Sequence, residues 1–394
     1  MRVAIVHGRY RQLGGEDNVV EQEMELLQSR GVEVVPFIRD NSSFPSEGSA
    51  RVAIEAIWSR GIAAEFDRFL RSERPDIIHV HNTFPFLSPA VFSVADRQNI
   101  PAVLTLHNYR LLCPAATLFR NGSPCEDCVS RSWAWPAVSH GCYRESRAAT
   151  AAVAAINSIH QALGTWTRSI SAYIALTDFA RDVYERGGLP PDRLHVRPNY
   201  VSDPTELASA VGDARARAMF IGRISEEKGV RILTREWQKV GAPLDVYGDG
   251  PLLEDLRKSS PAGIRFHGFV GRDRALEAMR GAAFLVVPSI WYEAFPLVVL
   301  EAFSLGVPVL ASNVGSLSEV VQHELTGLHF EPDRTDSLAH AAIRLLKDRQ
   351  FRERLGANAR AAYLARYTPE IAYKRLLDIY ETARIASHRS ISSS

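Results

Sequence analysis

The sequence predicts an α/β protein built from two doubly wound domains in tandem. Three observations predict it. Short apolar runs alternate with amphipathic helical patterns along most of the chain, the signature of a parallel sheet covered on both faces. The alternation runs through twice, with a stretch rich in proline and polar residues between the two series. The chain has 394 residues, too many for one ordinary core and enough for two domains of about 150–200 residues. Hydrophobic residues make up 46% and charged residues 23%, proportions that exclude disorder as the default state. A net charge of +1 leaves no surplus of cations for a polyphosphate backbone, so nucleic acid is not an expected partner.

The first series opens with a strand at Arg2–His7, then a helix at Asn18–Arg30 and a strand at Glu33–Ile38. A helix at Ala63–Arg71 leads to strands at Ile77–His81 and Ala102–His107. The Ala-rich stretch Ala148–Ile170 reads as one helix, followed by the strand Ala172–Leu176 and the helix Asp178–Arg186. Leu189–Pro204 is read as the linker. The second series has strands at Ala218–Ile221, Leu244–Tyr247, Ile264–His267, Phe284–Val287, Pro308–Ala311 and Gly327–Phe330. Its helices fall at Val230–Trp237, Leu252–Lys258, Arg272–Arg280, Leu297–Leu305 and Asp336–Lys347. A last helix is expected from Pro369 to about Ile385, docking back on the first domain, with a frayed polar tail beyond it. The expected domains are therefore 1–198, carrying a cysteine-containing insert at 110–147, then 199–368, then the terminal segment 369–394. Two such units in tandem form a cleft between the carboxyl ends of their strands, where ligands of doubly wound sheets bind.

The opening MRVAIVHGRY lacks the long apolar core of a signal peptide. No stretch reaches the ~18 uninterrupted apolar residues of a transmembrane helix. The expected location is the cytoplasm, with peripheral attachment at the inner membrane face as a further expectation.

Two segments carry the chemistry. In Phe220-Ile221-Gly222-Arg223, followed by Lys228-Gly229, a strand ends at a glycine with two cations around the next turn. Cations there suit a diphosphate leaving group, whose charge grows as its bond to a sugar breaks. Exposed cations are common on surface loops, and the segment alone also fits that description. The second is Trp291-Tyr292-Glu293-Ala294-Phe295-Pro296, running into an apolar helix that contains Glu301. Pro296 suits the first turn of a helix, and free amides at Phe295–Leu297 can bind phosphate oxygens. Glu301 lies about 7.5 Å further along the helix axis, so one carboxylate could reach a sugar and the other a ribose. An acid inside an apolar helix needs a partner.

Glu293 and Glu301, with seven residues between them, resemble the E-x7-E motif of family 4 glycosyltransferases of the GT-B fold, which is two Rossmann-like domains facing across a cleft. Gly14-Gly15-Glu16 resembles the family's N-terminal glycine loop, and Gly222-Arg223 with Lys228-Gly229 its G-R-x(4)-K-G segment. Gly248-Asp249-Gly250-Pro251 resembles its G-x-G-P turn, Leu104–Asn108 its histidine segment, and Pro198–Val201 its P-N-G-V linker. The resemblance runs in order from about residue 1 to 385. It implies a retaining transferase working by front-side attack on a UDP- or GDP-sugar, with a glycan or lipid-linked acceptor in surface polysaccharide synthesis. Arg223 and Lys228 would hold the diphosphate, assisted by amides near Gly14 and Gly15 and at Phe295, Pro296 and Leu297. Glu301 would bind the ribose, Glu293 a hydroxyl of the sugar, and His107 the sugar from the opposite domain. Gly222, Gly248 and Asn199 would line the donor site, with Phe269 and Val270 near the base. Tyr200 and Ala294 replace the usual glycines of two motifs. No Asp-x-Asp stands in the donor region to hold a divalent ion, so no cofactor is expected for the chemistry.

Cys113, Cys125, Cys128 and Cys142 all fall in the insert, with the spacing C-x11-C-x2-C-x13-C. The set suits a structural zinc site of four thiolates, with His140 as an alternative ligand, and it equally suits four reduced thiols in a packed loop. The same insert carries Trp133, Trp135, Arg120, Arg131, Arg144 and Arg147, with Trp166 and Arg168 beyond. That mixture suits either a membrane interface bearing anionic lipid or an acceptor pocket and core aromatics.

A dinucleotide-dependent oxidoreductase would need G-x-G-x-x-G after the first strand, and Gly8–Gly15 does not supply it. A nucleotide-sugar epimerase of the same architecture and an inactive nucleotide-sugar-binding protein are the remaining rivals. Turnover without an acceptor would mark the first, and binding without turnover the second.

Overall fold

The computed structural model describes residues 1–9, 14–40, 50–85, 87–204 and 217–392. The chain forms two compact units. The first comprises Met1–Leu118, Glu126–Arg197 and Tyr373–Ser394, and the second Phe119–Cys125 and Pro198–Ala372.

The first unit holds β1 (Arg2–Arg9), β2 (Glu33–Asp40), β3 (Ile77–Asn82) and β4 (Ala102–Thr105). A short antiparallel hairpin, β5 (Phe119–Arg120) and β6 (Ser123–Pro124), interrupts the series and groups with the second unit. The first sheet is completed by β7 (Ala172–Ala175) and β8 (Leu194–Val196), in the order β2-β1-β3-β4-β7-β8. All its neighbours are parallel. The strands β3, β4 and β7 are buried at every position, which is why they read as continuous apolar runs. Side chains on alternate positions of these strands face opposite ways. Val3, Ile5, Ile77, Val103, Ala172 and Ile174 all join one core cluster. That cluster is closed by the helix Gly15–Ser29 and by Leu376, Ile379, Tyr380 and Ala383 of the last helix, Pro369–Ser392.

The second unit holds β9 (Ala218–Ile221), β10 (Leu244–Tyr247), β11 (Ile264–Gly268), β12 (Phe284–Val287), β13 (Val309–Ser312) and β14 (Gly327–Phe330), ordered β11-β10-β9-β12-β13-β14 and parallel throughout. Here the period of two separates two cores. Ala218, Phe220, Val246, Phe284 and Val286 face one layer of helices, while Met219, Leu285, Val287, Val309 and Ala311 face the other.

Four expectations are corrected. The stretch read as one helix over 148–170 is two, Arg147–Ala162 and Thr165–Arg168, because Gly164 between them adopts a left-handed φ of 73°. The region read as linker contains β8, whose Leu194 pairs with Tyr173 at the sheet edge. Helices at Ala90–Arg97 and Arg349–Arg366 were not anticipated. The last helix continues through Ser392, past the expected end near Ile385. Ser393 and Ser394 of the expected tail, and Tyr10 to Leu13 of the first loop, lie outside the described residues.

Candidate functional site

Strand order in the second unit reverses between β9 and β12, and the crevice outside the carboxyl ends of such strands is the natural ligand site. The loop after β9 carries Gly222 and Arg223, and the loop after β12 carries Glu293. Lys228 Nζ donates to Glu293 Oε1 at 2.6 Å, and Ser289 Oγ donates to the same oxygen at 2.6 Å. The Lys228 ammonium also stands 5.3 Å from the centre of the Trp291 ring. Burial pushes the Glu293 carboxyl up, but Lys228 and Ser289 outweigh it and hold the group below its ordinary value. Glu293 is therefore an ionised, fixed acceptor.

Glycine is required at two points of this arrangement. Gly229 ends the turn that presents Lys228 with a φ of +66°, and a Cβ there would lie 1.8 Å from the carbonyl oxygen of Pro288. Gly248 has a φ of +135°, and its Cβ would meet the carbonyl oxygen of Gly222 at 1.8 Å. Backbone bonds from Gly222 to Tyr247 and from Ile224 to Asp249 tie the two glycine loops together.

The helix Leu297–Ser304 starts after Pro296, which is its N-cap rather than its first helical residue, and no side chain caps it. Phe295 and Leu297 pack against the core below, so what they offer a ligand is backbone. Glu301 finds the partner its apolar helix demanded: Arg272 Nε donates to Glu301 Oε1 at 3.2 Å. Burial still raises the Glu301 carboxyl above its ordinary value against the pull of Arg272. Arg223 is exposed, Asn199 is buried and Val270 is half-buried. Phe269 is 81% exposed, an apolar ring with a free face.

In the first unit the strand order reverses between β1 and β3. His7 stands near the end of β1, His81 near the end of β3, and His107 just past β4. Gly14 caps the helix Gly15–Ser29, and its N–H donates to Asp17 Oδ2 at 2.9 Å. Asp17 Oδ1 meets His7 Nε2 at 3.0 Å. His107 Nε2 and His81 Nδ1 are 2.8 Å apart, and both rings line a cavity of about 60 Å³ with Asn82, Phe84 and Arg110. Behind them lies a closed polar cluster that the sequence reading missed. Glu23 Oε1 stands 3.0 Å from His79 Nδ1 and 3.3 Å from His81 Nε2, while its Oε2 meets Arg197 Nη1 at 2.6 Å. His79 is bonded further to Tyr380 Oη and Thr105 Oγ1, each at 2.7 Å. Burial opposes charge on Glu23, but Arg197 and then His79 hold its carboxyl well below the ordinary range. Burial, reinforced by His79, pushes His81 down to about 3. Burial and then His81 push His107 well below the ordinary histidine value. The signal for this cluster was present: an acid on the buried face of a helix, and two histidines two apart on an otherwise apolar strand, where period two puts them on one face.

None of the four cysteines is joined to another in a disulfide. Cys128 and Cys142 pack in a small apolar cluster with Ala134, Ala137 and Ala154. Cys113, Cys128 and Cys142 belong to one unit, and their sulfurs do not come within 4.8 Å of one another as a set of three. Among the described residues the set that does is Glu23, His79 and His81. Trp166, read beside the surface aromatics, is instead 3% exposed and donates to Asn157 O. Among the described residues no helix is long and apolar enough to cross a membrane.

Two units with parallel six-stranded sheets, whose strand order reverses between β1 and β3 in one and between β9 and β12 in the other, define a protein of the GT-B architecture. Residues 14–200 match the glycosyl transferase 4-like domain, and residues 208–362 match glycosyl transferases group 1. The chain belongs to the family 4 glycosyltransferases. It is 34% identical over 184 residues to an uncharacterised glycosyltransferase of Methanocaldococcus jannaschii, covering 44% of this chain and 46% of that one. It is 32% identical over 237 residues to the alpha-D-kanosaminyltransferase of Streptomyces kanamyceticus, covering 54% and 61%. The matched stretch thus spans about half the length of these curated relatives. Among solved structures, Anabaena HepE in complex with UDP superposes with a TM-score of 0.69 at 16% identity, covering 97% of this chain and all of that one.

Proposed function

We propose that the chain is a retaining glycosyltransferase that moves a sugar from a UDP- or GDP-sugar to a glycan or lipid-linked acceptor. The observation that carries this reading is the Lys228–Glu293 pair, held by Ser289 and by an obligatory glycine at the switch point of the second unit. Lys228 keeps donors beyond the one given to Glu293, and with Arg223 it would neutralise the diphosphate as the glycosidic bond breaks. Amides at the start of Leu297–Ser304 would take further phosphate oxygens. Glu293, ionised and fixed, would accept from a sugar hydroxyl, and Glu301 from the ribose. His107 is neutral and would contact the sugar without carrying charge. The leaving phosphate would take the acceptor's proton, and the transition state would have oxocarbenium character. These roles need no metal ion. Both matched families and the UDP-bound neighbour support a nucleotide donor.

The test is thermal shift of the full chain with UDP, GDP and their sugars, repeated with Arg223→Ala. Stabilisation by one diphosphate that is lost in the variant is the expected result and names the base. No shift with any nucleotide would remove the reading.

A specific observation favours peripheral membrane attachment as well. Trp133 and Trp135 are 38% and 64% exposed, and Ile159 and Leu163 are 39% and 55% exposed. Ser158 Oγ donates to Ser132 O, which brings the start of the tryptophan segment beside the helix that carries Ile159. With Arg131 adjacent, this face suits an anionic lipid surface. Sedimentation with vesicles containing anionic lipid, but not with neutral ones, is expected; equal recovery with both would end the idea.

A further inference from the structure

Glu23, His79 and His81 offer three ligand atoms within 4.8 Å of one another, the spacing a metal ion would need. Arg197 argues for a different role. Its guanidinium pairs with Glu23 at 2.6 Å where both side chains are almost wholly buried, so the carboxylate's charge is already answered. A second cation there would face Arg197 with little screening. Both nitrogens of His79 are also engaged, by Tyr380 and Thr105.

The cluster's work is legible instead in which atoms can donate. An ionised carboxylate accepts and never donates. His81 Nε2 lies 3.3 Å from Glu23 Oε1, close but not aligned as a hydrogen bond. The carboxylate's charge at that distance favours the single proton of a neutral His81 on Nε2, and Nδ1 is left with a lone pair. His107 Nε2 lies 2.8 Å from that Nδ1 and is the donor of this bond. A neutral imidazole has one N–H, which leaves Nδ1 of His107 unprotonated.

We propose that Arg197, Glu23 and His81 act as positioning residues that lock His107 in its Nε2–H tautomer, so that its Nδ1 is presented to the ligand as a hydrogen-bond acceptor. The consequence is a specificity rule. A ligand with a hydroxyl at this point is accepted, and one with a carboxylate there meets a lone pair with no proton between. The identity of that hydroxyl as one of the donor sugar rests on the transferase reading. The tautomer does not, because it is a property of the free protein.

The experiment is a long-range proton–nitrogen spectrum of the full chain labelled with 15N-histidine, with His107 assigned by comparison with His107→Gln. The expected result is His107 protonated at Nε2 and bare at Nδ1. In His81→Phe, which leaves Glu23 and Arg197 paired, and in the double variant Glu23→Leu/Arg197→Met, the tautomer ratio should fall from above about ten to one toward about one to one. His107 protonated at Nδ1 in the wild type would overturn the inference. So would an unchanged ratio in either variant that folds. The two variants disturb the fold differently, His81→Phe keeping the buried ion pair intact, so a failure of one leaves the other to decide. A lack of nucleotide binding in the thermal-shift test would sink the transferase reading and leave the tautomer result standing.

Discussion

At Glu293, burial and pairing pull in opposite directions, and pairing wins. The carboxylate is 6% exposed and leans on Lys228 and Ser289. Removing the cation strands a buried charge, which costs more than the pair itself contributes. We expect Lys228→Ala to lower unfolding free energy by about 2–3 kcal/mol in urea titrations, below the value for a fully buried pair because Lys228 keeps some exposure. The same variant should lower kcat by about 10²–10³-fold if the ammonium meets the leaving diphosphate. The pH dependence has a definite sign. The folded carboxyl of Glu293 is held below its unfolded value of 4.5, so its ionisation adds stability above about pH 4.5 that is lost as pH falls through the lower folded value. Wild type and Glu293→Gln should therefore converge in urea midpoint as pH is lowered below 4.5, and a gap that stays constant would contradict the pairing. Glu301 has the opposite sign, because its carboxyl is raised by burial, and it favours the folded state more as pH falls.

Elements hold these residues in place through backbone constraints. The turn ending at Gly229 cannot take a side chain without moving the strand-end carbonyl of Pro288. Gly229→Ala should cost about 1–3 kcal/mol by calorimetry, and it should weaken nucleotide binding by displacing Lys228. Full stability in that variant would mean that the turn can reshape. At the other end of the chain, the last helix does double duty. It closes the core of the first unit with Leu376 and Ile379, and it bonds His79 through Tyr380. Leu376 is fully buried, so Leu376→Ala should lose about 2–5 kcal/mol in urea unfolding; a loss under ~1 kcal/mol would mean that the helix is only loosely docked.

For the whole molecule, the two units each have their own hydrophobic clusters. A chain with separate cores need not unfold in one step. Calorimetry with saturating nucleotide is expected to raise the transition of the second unit, which carries Lys228 and Glu293, by about 2.7 kcal/mol at a hundredfold excess over Kd. An increase confined to the other transition would move the donor site. Net charge near zero and a mixed surface give no general attraction for polyanions, so any lipid attachment must come from the local tryptophan and arginine face.

Composition and local pattern determined most of the architecture. Strands such as Ala218–Ile221, Leu244–Tyr247 and Phe284–Val287 were legible to the residue, because a strand buried on both faces must be apolar throughout and its neighbours must be helices. The link between Gly229, Lys228 and Glu293 was legible as a motif too, because the turn needs a glycine at Gly229 and the acid lies within reach of the cation that the turn presents. What only the tertiary structure decided depends on long-range partners. The edge strand Leu194–Val196 is strand-like because Ala172–Ala175 lies beside it, and its own sequence is too polar to announce it. Glu23, the His79 and His81 pair, Arg197 and Tyr380 come from four separate places in the chain. Each alone reads as an ordinary residue of its element. Their meaning lies in hydrogen-bond direction, and direction exists only once folding has buried them together and excluded the water that would otherwise satisfy each one.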